Sequence, residues 1–235
     1  MKEKSNSFDQ KPAPPLISII LPSLNEEQSM QKVIEEIRTT KLPKSEIIVV
    51  DGCSSDDTIK IARKNKTKVL IEPKIGYGNA INRGIDAAKG KIIVIMDSDY
   101  TYPASFIPQL IAPLIKNEAD LVLGNRLSQK NSVLMKKSHL FGNMVLTLWF
   151  NVIFVSKFQD TQTGFRAFRK KDYKKLKANS KGIFLPSELL YKALKKRFRI
   201  IEIPIRYRSR IGKSKLSPLR DGIIIFLKML INGIL

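Results

Sequence analysis

Two aspartates separated by one residue, Asp97 and Asp99, follow the apolar run "IIVIM" at residues 92–96. A turn at that point lets both carboxylates approach one hard cation, and a substrate phosphate would complete its coordination shell. Mg²⁺ and Mn²⁺ favour this combination of few carboxylates with diphosphate oxygens. The alternative is an ordinary solvated turn, because Asp and Ser are common turn residues. The metal interpretation gains weight if the apolar run is a buried strand.

The segments that must position these carboxylates alternate between two periods. Short β-branched runs, typical of strands buried on both faces, occur at 17–21, 46–50, 68–71, 91–96 and 119–124. Apolar residues at helical spacing follow the first run, at Met30, Val33, Ile34 and Ile37. Further helices are predicted after an N-cap at Ser54 or Ser55, over 78–89 and over 103–116. This alternation predicts an α/β fold with a mostly parallel, doubly wound sheet flanked by helices.

Polar clusters follow three of the predicted strands. They read "PSLNEE" at 22–27, "DGCSSDD" at 51–57 and "DSD" at 97–99. Ligands of open α/β sheets bind outside the carboxyl ends of the strands, where these clusters are expected to meet.

The motifs of the chain resemble those of a known family. "ISIILPSLNEE", "IIVVDGCSSDDT", "GYGNAINRGI", "DSDYTYP", "LVLGNR", "DTQTGFRAF" and "EIPIRYRSRIGKSKL" occur in the order seen in family 2 glycosyltransferases of the GT-A fold. Within that family, the last two motifs resemble the dolichol-phosphate mannosyltransferase group. The resemblance covers residues 16–216. It implies a Rossmann-like GT-A sheet and transfer of mannose or glucose from GDP-mannose or UDP-glucose to dolichyl or another polyprenyl phosphate, with Mg²⁺ or Mn²⁺ as cofactor.

The resemblance also implies roles for individual residues. The implied nucleotide-sugar-binding residues are Pro22, Asn25, Glu26, Asp51, Asp97, Ser98 and Asp99, of which Asp97 and Asp99 are the implied metal ligands. The implied acceptor-phosphate ligands are Arg126, Arg166, Arg210, Ser214 and Lys215. The implied catalytic residues are Asp97, Asp99, Arg126, Arg166, Arg210 and Lys213.

Three positions depart from the family pattern. Gly52 stands where a second aspartate is common, Leu24 where many relatives have tyrosine, and Thr101 where mannosyl relatives often have a glutamine near the metal. These departures leave the donor base and sugar open.

The charge of the chain is concentrated in its second half. Residues 1–125 contain 17 basic and 16 acidic side chains, whereas residues 126–235 contain 25 and 5. Such an excess predicts an anionic partner, which charge alone does not identify as nucleic acid, an anionic membrane or a phosphorylated ligand. The only cysteine, Cys53, excludes an internal disulfide, and residues 1–15 contain no apolar core of signal-peptide length. We expect residues 1–15 to be a flexible tail and the protein to act at the cytoplasmic face of a membrane, peripherally or monotopically.

Two apolar segments predict helices that lie in a membrane interface. Residues 140–155, within a helix of about 133–155, place Asn143, Thr147 and Asn151 in one polar stripe, and residues 217–235 form a similar C-terminal helix. The first is too short for a standard span of about 20 residues. The alternative is a pair of core helices packed on the sheet.

The expected chemistry requires little additional machinery. The acceptor phosphate is already anionic, so it can attack the anomeric carbon without a strong protein base, and inversion is the simplest outcome. A cation-rich site predicts a late loop, residues 208–216, that becomes ordered when the donor binds. Two other functions remain open: transfer to a soluble glycan or polymer, and non-catalytic binding of nucleic acid. The favoured function needs neither a nucleic acid nor an obligate protein partner.

Overall fold

The computed structural model describes residues 17–128, 135–215 and 217–234. The predicted tail, residues 1–15, lies outside these ranges, as do residues 133 and 134 of the first predicted interface helix and Leu216 of the late loop. No helix among the described residues is long and apolar enough to cross a membrane.

The described residues form one seven-stranded sheet with helices on both sides. The strands are β1 (Ile17–Ser23), β2 (Ser45–Asp51), β3 (Lys68–Ile71), β4 (Ile92–Ile95), β5 (Leu121–Asn125), β6 (Arg166–Arg169) and β7 (Ile200–Pro204). The helices are α1 (Glu27–Thr39), α2 (Thr58–Lys64), α3 (Tyr77–Ala87), α4 (Ile107–Ile115), α5 (Lys137–Ile153), α6 (Lys170–Leu176), α7 (Leu185–Lys195) and α8 (Pro218–Ile234). A short 3₁₀ turn, Ala104–Phe106, precedes α4.

The strand order is β3-β2-β1-β4-β6-β5-β7. Strand β6 runs antiparallel to both of its neighbours, and every other pairing is parallel. The predicted α/β fold with a mostly parallel sheet is therefore confirmed, and all five predicted strands are present. Strands β6 and β7 were not among the predicted strands.

Two apolar cores cover the faces of the sheet. One core joins the sheet to α1, α2 and α4, and the other joins it to α3, α5, α6, α7 and α8. The predicted apolar face of α1 is buried, with Met30 and Ile34 inaccessible to solvent. Strand β1 is buried along its whole length because it contributes to both cores. This central position explains its unbroken apolar run.

One edge of the sheet collects the loops that carry the predicted site. The parallel strands β1, β2, β4, β5 and β7 end at this edge, and the antiparallel strand β6 begins there, since Ile95 and Leu123 both pair with Arg166. The reversed direction of β6 brings the loop 160–165 beside the aspartate pair. We call this edge the ligand edge.

Helices α5 and α8 each pack with one side only against the core that also contains α3, α6 and α7. Leu146 and Phe150 of α5 and Ile225 and Met229 of α8 are buried in it. The rings of Trp149 and Phe226 meet edge to face between the two helices, with centroids 5.2 Å apart. The opposite sides remain exposed, so the two helices are neither wholly interior nor separate from the domain.

The polar stripe of α5 faces the protein. Thr147 is 6% exposed and its hydroxyl lies 3.1 Å from that of Thr161, and Asn151 holds the backbone of Phe158. The exposed side of α5 consists largely of apolar residues, namely Phe141, Met144, Leu148, Trp149 and Val152. The predicted stripe exists, but it serves to fix the chain that leads into the loop 160–165.

Candidate active site

Asp97 lies in a close-fitting cradle at the end of β4. Its Oδ1 accepts a hydrogen bond from the Tyr77 hydroxyl at 2.9 Å. A Cβ atom at Gly164 would come within 2.6 Å of its Oδ2, so only glycine lets the loop 160–165 approach so closely. The sequence "TG" at 163–164 therefore allows the loop to lie against this carboxylate.

The paired carboxylates repel each other. The pKa of Asp97 is raised to about 7, first because the group is desolvated and second because the Asp99 carboxylate is close. The hydrogen bond from Tyr77 and the charges of Arg126 and Arg210 act in the opposite direction. A divalent cation bound between two carboxylates that repel each other would stabilise their charged forms. Asp97 and Asp99 therefore fit the implied Mg²⁺ or Mn²⁺ as a pair of oxygen ligands. The described residues contain no group of three or more His, Cys, Asp or Glu side chains that could hold a metal ion.

Both oxygens of Asp99 are engaged by the protein. Oδ1 accepts hydrogen bonds from the Thr101 hydroxyl at 2.6 Å and the Thr101 backbone N–H at 3.1 Å, and Oδ2 pairs with Arg210 Nη1 at 2.5 Å. Thr101, which departs from the family pattern, is 1% exposed. Its hydroxyl is directed at the carboxylate, so it orients Asp99.

The loops after β1 and β2 are tied to each other. Asn25 accepts a hydrogen bond from the Ser55 backbone through its side chain, and its own backbone N–H donates to the Ser54 hydroxyl at 2.8 Å. The fully buried Asp51 accepts two hydrogen bonds from Ser54, at 2.7 and 2.6 Å. These contacts replace the predicted N-cap at Ser54 or Ser55, because α2 begins only at Thr58.

Pro22 and Ser98 lie beneath the ligand edge. Ser98 is 2% exposed, its hydroxyl donates to the Pro22 carbonyl at 2.9 Å, and its own carbonyl accepts from the Ser29 hydroxyl at 2.7 Å. The carbonyl of Pro22 and the side chain and carbonyl of Ser98 are thus part of the framework that holds β1, α1 and the aspartate loop together.

Arg126 follows β5 and forms a two-pronged ion pair with Asp160. Its Nε lies 2.7 Å from Oδ2 and its Nη2 lies 2.8 Å from Oδ1. Arg126 is 7% exposed and Asp160 is fully buried. The pair raises the pKa of Arg126 despite its burial, and it engages two of the five N–H groups of the guanidinium.

Arg166 is almost completely buried and binds backbone carbonyls. It is 1% exposed, and its guanidinium donates to the carbonyls of Thr161, Thr163 and Pro186 at 2.7, 2.9 and 2.6 Å. Desolvation lowers its pKa to about 10. This arrangement makes Arg166 an organiser of the loop 160–165, and it does not favour the predicted contact with an acceptor phosphate.

The late loop, defined here as residues 208–215, crosses the ligand edge. Arg210 bridges Asp99 and Glu26, and Lys215 binds Glu26 Oε1 at 2.9 Å and the Asn25 carbonyl at 2.6 Å. Lys213 and Ser214 lie exposed in the same loop. The structure therefore brings Arg210, Lys215 and Glu26 to the aspartate pair and keeps Lys213 at the surface beside it.

Sequence reasoning missed Tyr77, Asp160 and the segment 180–181 as parts of this site. A Cβ atom at Gly78 would lie 2.0 Å from the Ser180 carbonyl, so the glycine allows this segment to press on the start of α3. The Asn79 backbone N–H donates to the Lys181 carbonyl at 2.9 Å. The "GYG" at 76–78 could have identified Tyr77 as a side chain fixed between two close backbone contacts.

Comparisons with known proteins place this geometry in context. The family model described as glycosyl transferase family 2 matches residues 18–177. A dolichyl-phosphate hexose transferase of Haloferax volcanii is 31% identical, over 88% of this chain and 89% of its own. A protein of Mycobacterium tuberculosis described as an uncharacterized glycosyltransferase is 32% identical, over 90% of this chain and 94% of its own.

Solved structures of similar fold come from glucosyl-3-phosphoglycerate synthase of Mycobacterium tuberculosis. Its complex with phosphoglyceric acid has a TM-score of 0.71 at 23% identity, covering 92% of this chain and 80% of that one. Its complex with Mn²⁺, UDP and glucosyl-3-phosphoglycerate has a TM-score of 0.70 at 22% identity, covering 94% and 80%. The fold is that of these glycosyltransferases.

Proposed function

The chain belongs to glycosyl transferase family 2, and on that premise we propose that it transfers a hexose, mannose or glucose, from a nucleotide-diphosphate sugar to dolichyl or another polyprenyl phosphate. The transfer depends on Mg²⁺ or Mn²⁺ and inverts the anomeric carbon. Because the chain is a glycosyltransferase, the non-catalytic nucleic-acid-binding alternative is withdrawn.

The donor lies along the ligand edge in this proposal. Asp97 and Asp99 hold the divalent cation, which would neutralise the diphosphate and make it a better leaving group. The loops after β1 and β2 hold the nucleoside, with Asn25 and Asp51 fixed by Ser54 and Ser55. These contacts support a preformed nucleotide cleft.

In this proposal the late loop brings the donor diphosphate and the acceptor phosphate together. Arg210 and Lys215 are side chains of this loop with partial exposure, 25% and 32%, and Lys213 lies beside them. Guanidinium and ammonium groups at such positions can turn to phosphate oxygens. Arg126 and Arg166 lie beneath, where they fix the loop 160–165 under the acceptor.

The observation that carries the choice of a lipid acceptor is the exposed apolar face of α5 and α8. Phe141, Leu148 and Val152 of α5 are 70%, 63% and 62% exposed. Leu219, Ile223, Leu227 and Ile231 of α8 are between 51% and 77% exposed. An apolar face of this extent on a surface is typical of a protein or membrane contact. We call it the α5/α8 face.

The α5/α8 face is connected to the acceptor side of the site. Thr147 of α5 is hydrogen-bonded to Thr161, in the loop that also carries Asp160 and Gly164. Exposed basic residues lie on the same two helices and beside them, at Lys136, Lys137, Lys157, Arg220 and Lys228. Each basic residue near an anionic membrane contributes about 1 kcal/mol to binding. A lipid surface is therefore the occupant we propose for this face, with the protein held peripherally or monotopically at the cytoplasmic side.

The experiment that tests the acceptor offers radiolabelled GDP-mannose and UDP-glucose separately, with Mg²⁺ or Mn²⁺. Dolichyl phosphate in detergent is compared with soluble phosphate and glycan acceptors. We expect labelled product in the lipid extract, and none from the Asp99→Ala variant. Labelling of soluble acceptors alone would overturn the proposal in favour of the soluble-acceptor function.

A flotation assay tests the membrane contact separately. Leu148→Glu introduces a charge into the α5/α8 face, and Ile115→Glu introduces the same charge on α4, where Ile115 is 51% exposed on the other side of the sheet. We expect vesicles containing anionic lipid to retain the Ile115→Glu variant and lose the Leu148→Glu variant. Equal retention of both variants would contradict the proposed contact.

A further inference from the structure

Arg210 occupies the carboxylate oxygen that a metal ion needs. Its Nη1 pairs with Asp99 Oδ2 at 2.5 Å, while Asp99 Oδ1 receives two hydrogen bonds from the buried Thr101. A cation that binds Oδ1 would have to displace two buried contacts. A cation that binds Oδ2 displaces only the side chain of Arg210, which is 25% exposed. The Arg210 contact is therefore the one that we expect a cation to replace.

Glu26 supplies Arg210 with a second anchor. Its carboxylate is 7% exposed, and Oε1 accepts from both Arg210 Nη2 and Lys215 Nζ. Its backbone N–H is fixed by the Thr58 hydroxyl at 2.8 Å. Its Oε2 and the Arg210 Nε are both buried without a hydrogen-bond partner among the described residues, so each retains capacity for a new contact.

We propose that Arg210 and the divalent cation are alternative partners of Asp99 Oδ2, and that Glu26 is the positioning residue that keeps Arg210 at the site after the exchange. The released guanidinium edge then contacts the donor diphosphate. Glu26 acts through Arg210 and Lys215, so its place in the first loop serves the late loop and not the nucleotide directly. This inference rests on the proposed metal role of Asp99.

The first test measures the binding of Mn²⁺ alone. The electron paramagnetic resonance signal of free Mn²⁺ reports how much of the ion is bound. Arg210→Gln removes the competitor and should tighten binding by about fivefold. Arg206→Gln removes the same charge four residues earlier, at an exposed position that forms no salt bridge in the described part of the chain. It controls for the general electrostatic effect. Equal Mn²⁺ affinities for the two variants, including no measurable binding by either, would overturn the exchange.

The second test adds UDP or GDP, using whichever nucleotide the wild type binds more tightly with Mn²⁺. Arg210→Gln should now weaken nucleotide binding, on the order of tenfold, because the phosphate contact is lost. A variant that binds both Mn²⁺ and the nucleotide more tightly would contradict the proposed transfer to the diphosphate.

A mutant cycle tests the positioning role of Glu26. Glu26→Gln should weaken nucleotide binding in the wild-type background and have no further effect in the Arg210→Gln/Lys215→Gln background. An equal loss in both backgrounds would identify Glu26 as a direct ligand and overturn this part of the proposal. The Asp99→Asn variant distinguishes the metal role of Asp99 from the proposed exchange. Wild-type Mn²⁺ affinity in that variant would refute the metal site itself. If Asp99→Asn weakens Mn²⁺ binding but Arg210→Gln does not tighten it, only the exchange is refuted.

Discussion

The loop after β5 and the loop after β7 each bring an arginine to the aspartate pair, and the protein uses the two differently. The side chain of Arg126 is 9% exposed and is held by the buried Asp160 through two parallel hydrogen bonds. The side chain of Arg210 is 25% exposed and bridges Glu26 and Asp99, of which the contact with Asp99 is the one that we propose a cation takes over. Arg126 therefore supports the site from beneath, whereas Arg210 is available to exchange its carboxylate partner for a ligand. Burial and the identity of the partner distinguish the two roles.

The largest expected effect belongs to the buried pair. Arg126→Met removes the cationic partner of the buried Asp160 carboxylate and leaves it the hydrogen bond from the backbone N–H of residue 126, which should lower the free energy of unfolding by about 3 to 5 kcal/mol. Chemical denaturation measures this loss. The double variant Arg126→Met/Asp160→Asn should recover part of it, because the unpaired charge is removed. If Arg126→Met unfolds at the wild-type denaturant concentration, the supporting role assigned to this pair is wrong.

A smaller effect, of opposite sign, is expected at Asp97. Its pKa is raised from an ordinary value near 4 to about 7, so its contribution to stability is complete at low pH and is lost as the pH rises to 7. Asp97→Asn should therefore increase the free energy of unfolding by roughly 2 kcal/mol at pH 8 and by less at pH 4.5, measured in EDTA. A gain that does not depend on pH would show that the cost of ionising a desolvated carboxylate beside Asp99 is not its cause.

The Tyr77 hydroxyl should affect activity more than stability. Tyr77→Phe removes the hydrogen bond to Asp97 Oδ1 and should reduce kcat/KM for the donor about tenfold, with less than about 1.5 kcal/mol lost in stability. Tyr173→Phe is the matched control, since its hydroxyl donates to Asn82 on the same helix, α3, but lies outside the site. Equal kinetic losses in the two variants would point to a general effect on α3.

Local patterns in the sequence predicted the part of the site that depends on single segments. The apolar runs identified β1, β2 and β4, and the Asp97–Asp99 spacing placed both carboxylates at the edge where these strands end. A parallel arrangement follows from the alternation of strands and helices, so the meeting of the three polar clusters was predictable.

Contacts between distant segments were not predictable in the same way. The short strand β6, "RAFR" at 166–169, contains two arginines, and its direction depends on pairing with β4 and β5. The periodicity of α5 predicted a polar stripe but could not tell which side faces the protein, because Thr147 and Asn151 bind residues further along the chain. Likewise, the burial of Arg166 depends partly on a distant segment, because its guanidinium donates to the Pro186 carbonyl at the start of α7 as well as to the carbonyls of Thr161 and Thr163.

The most direct test of the account is the rate of hexose transfer to dolichyl phosphate by Arg210→Gln, measured beside its unfolding midpoint. We expect kcat/KM to fall by about 10² or more, as for loss of a charged group that stabilises a transition state, while the midpoint stays close to that of the wild type. Transfer at the wild-type rate by a folded Arg210→Gln variant would contradict the claim that the late loop brings donor and acceptor phosphates together.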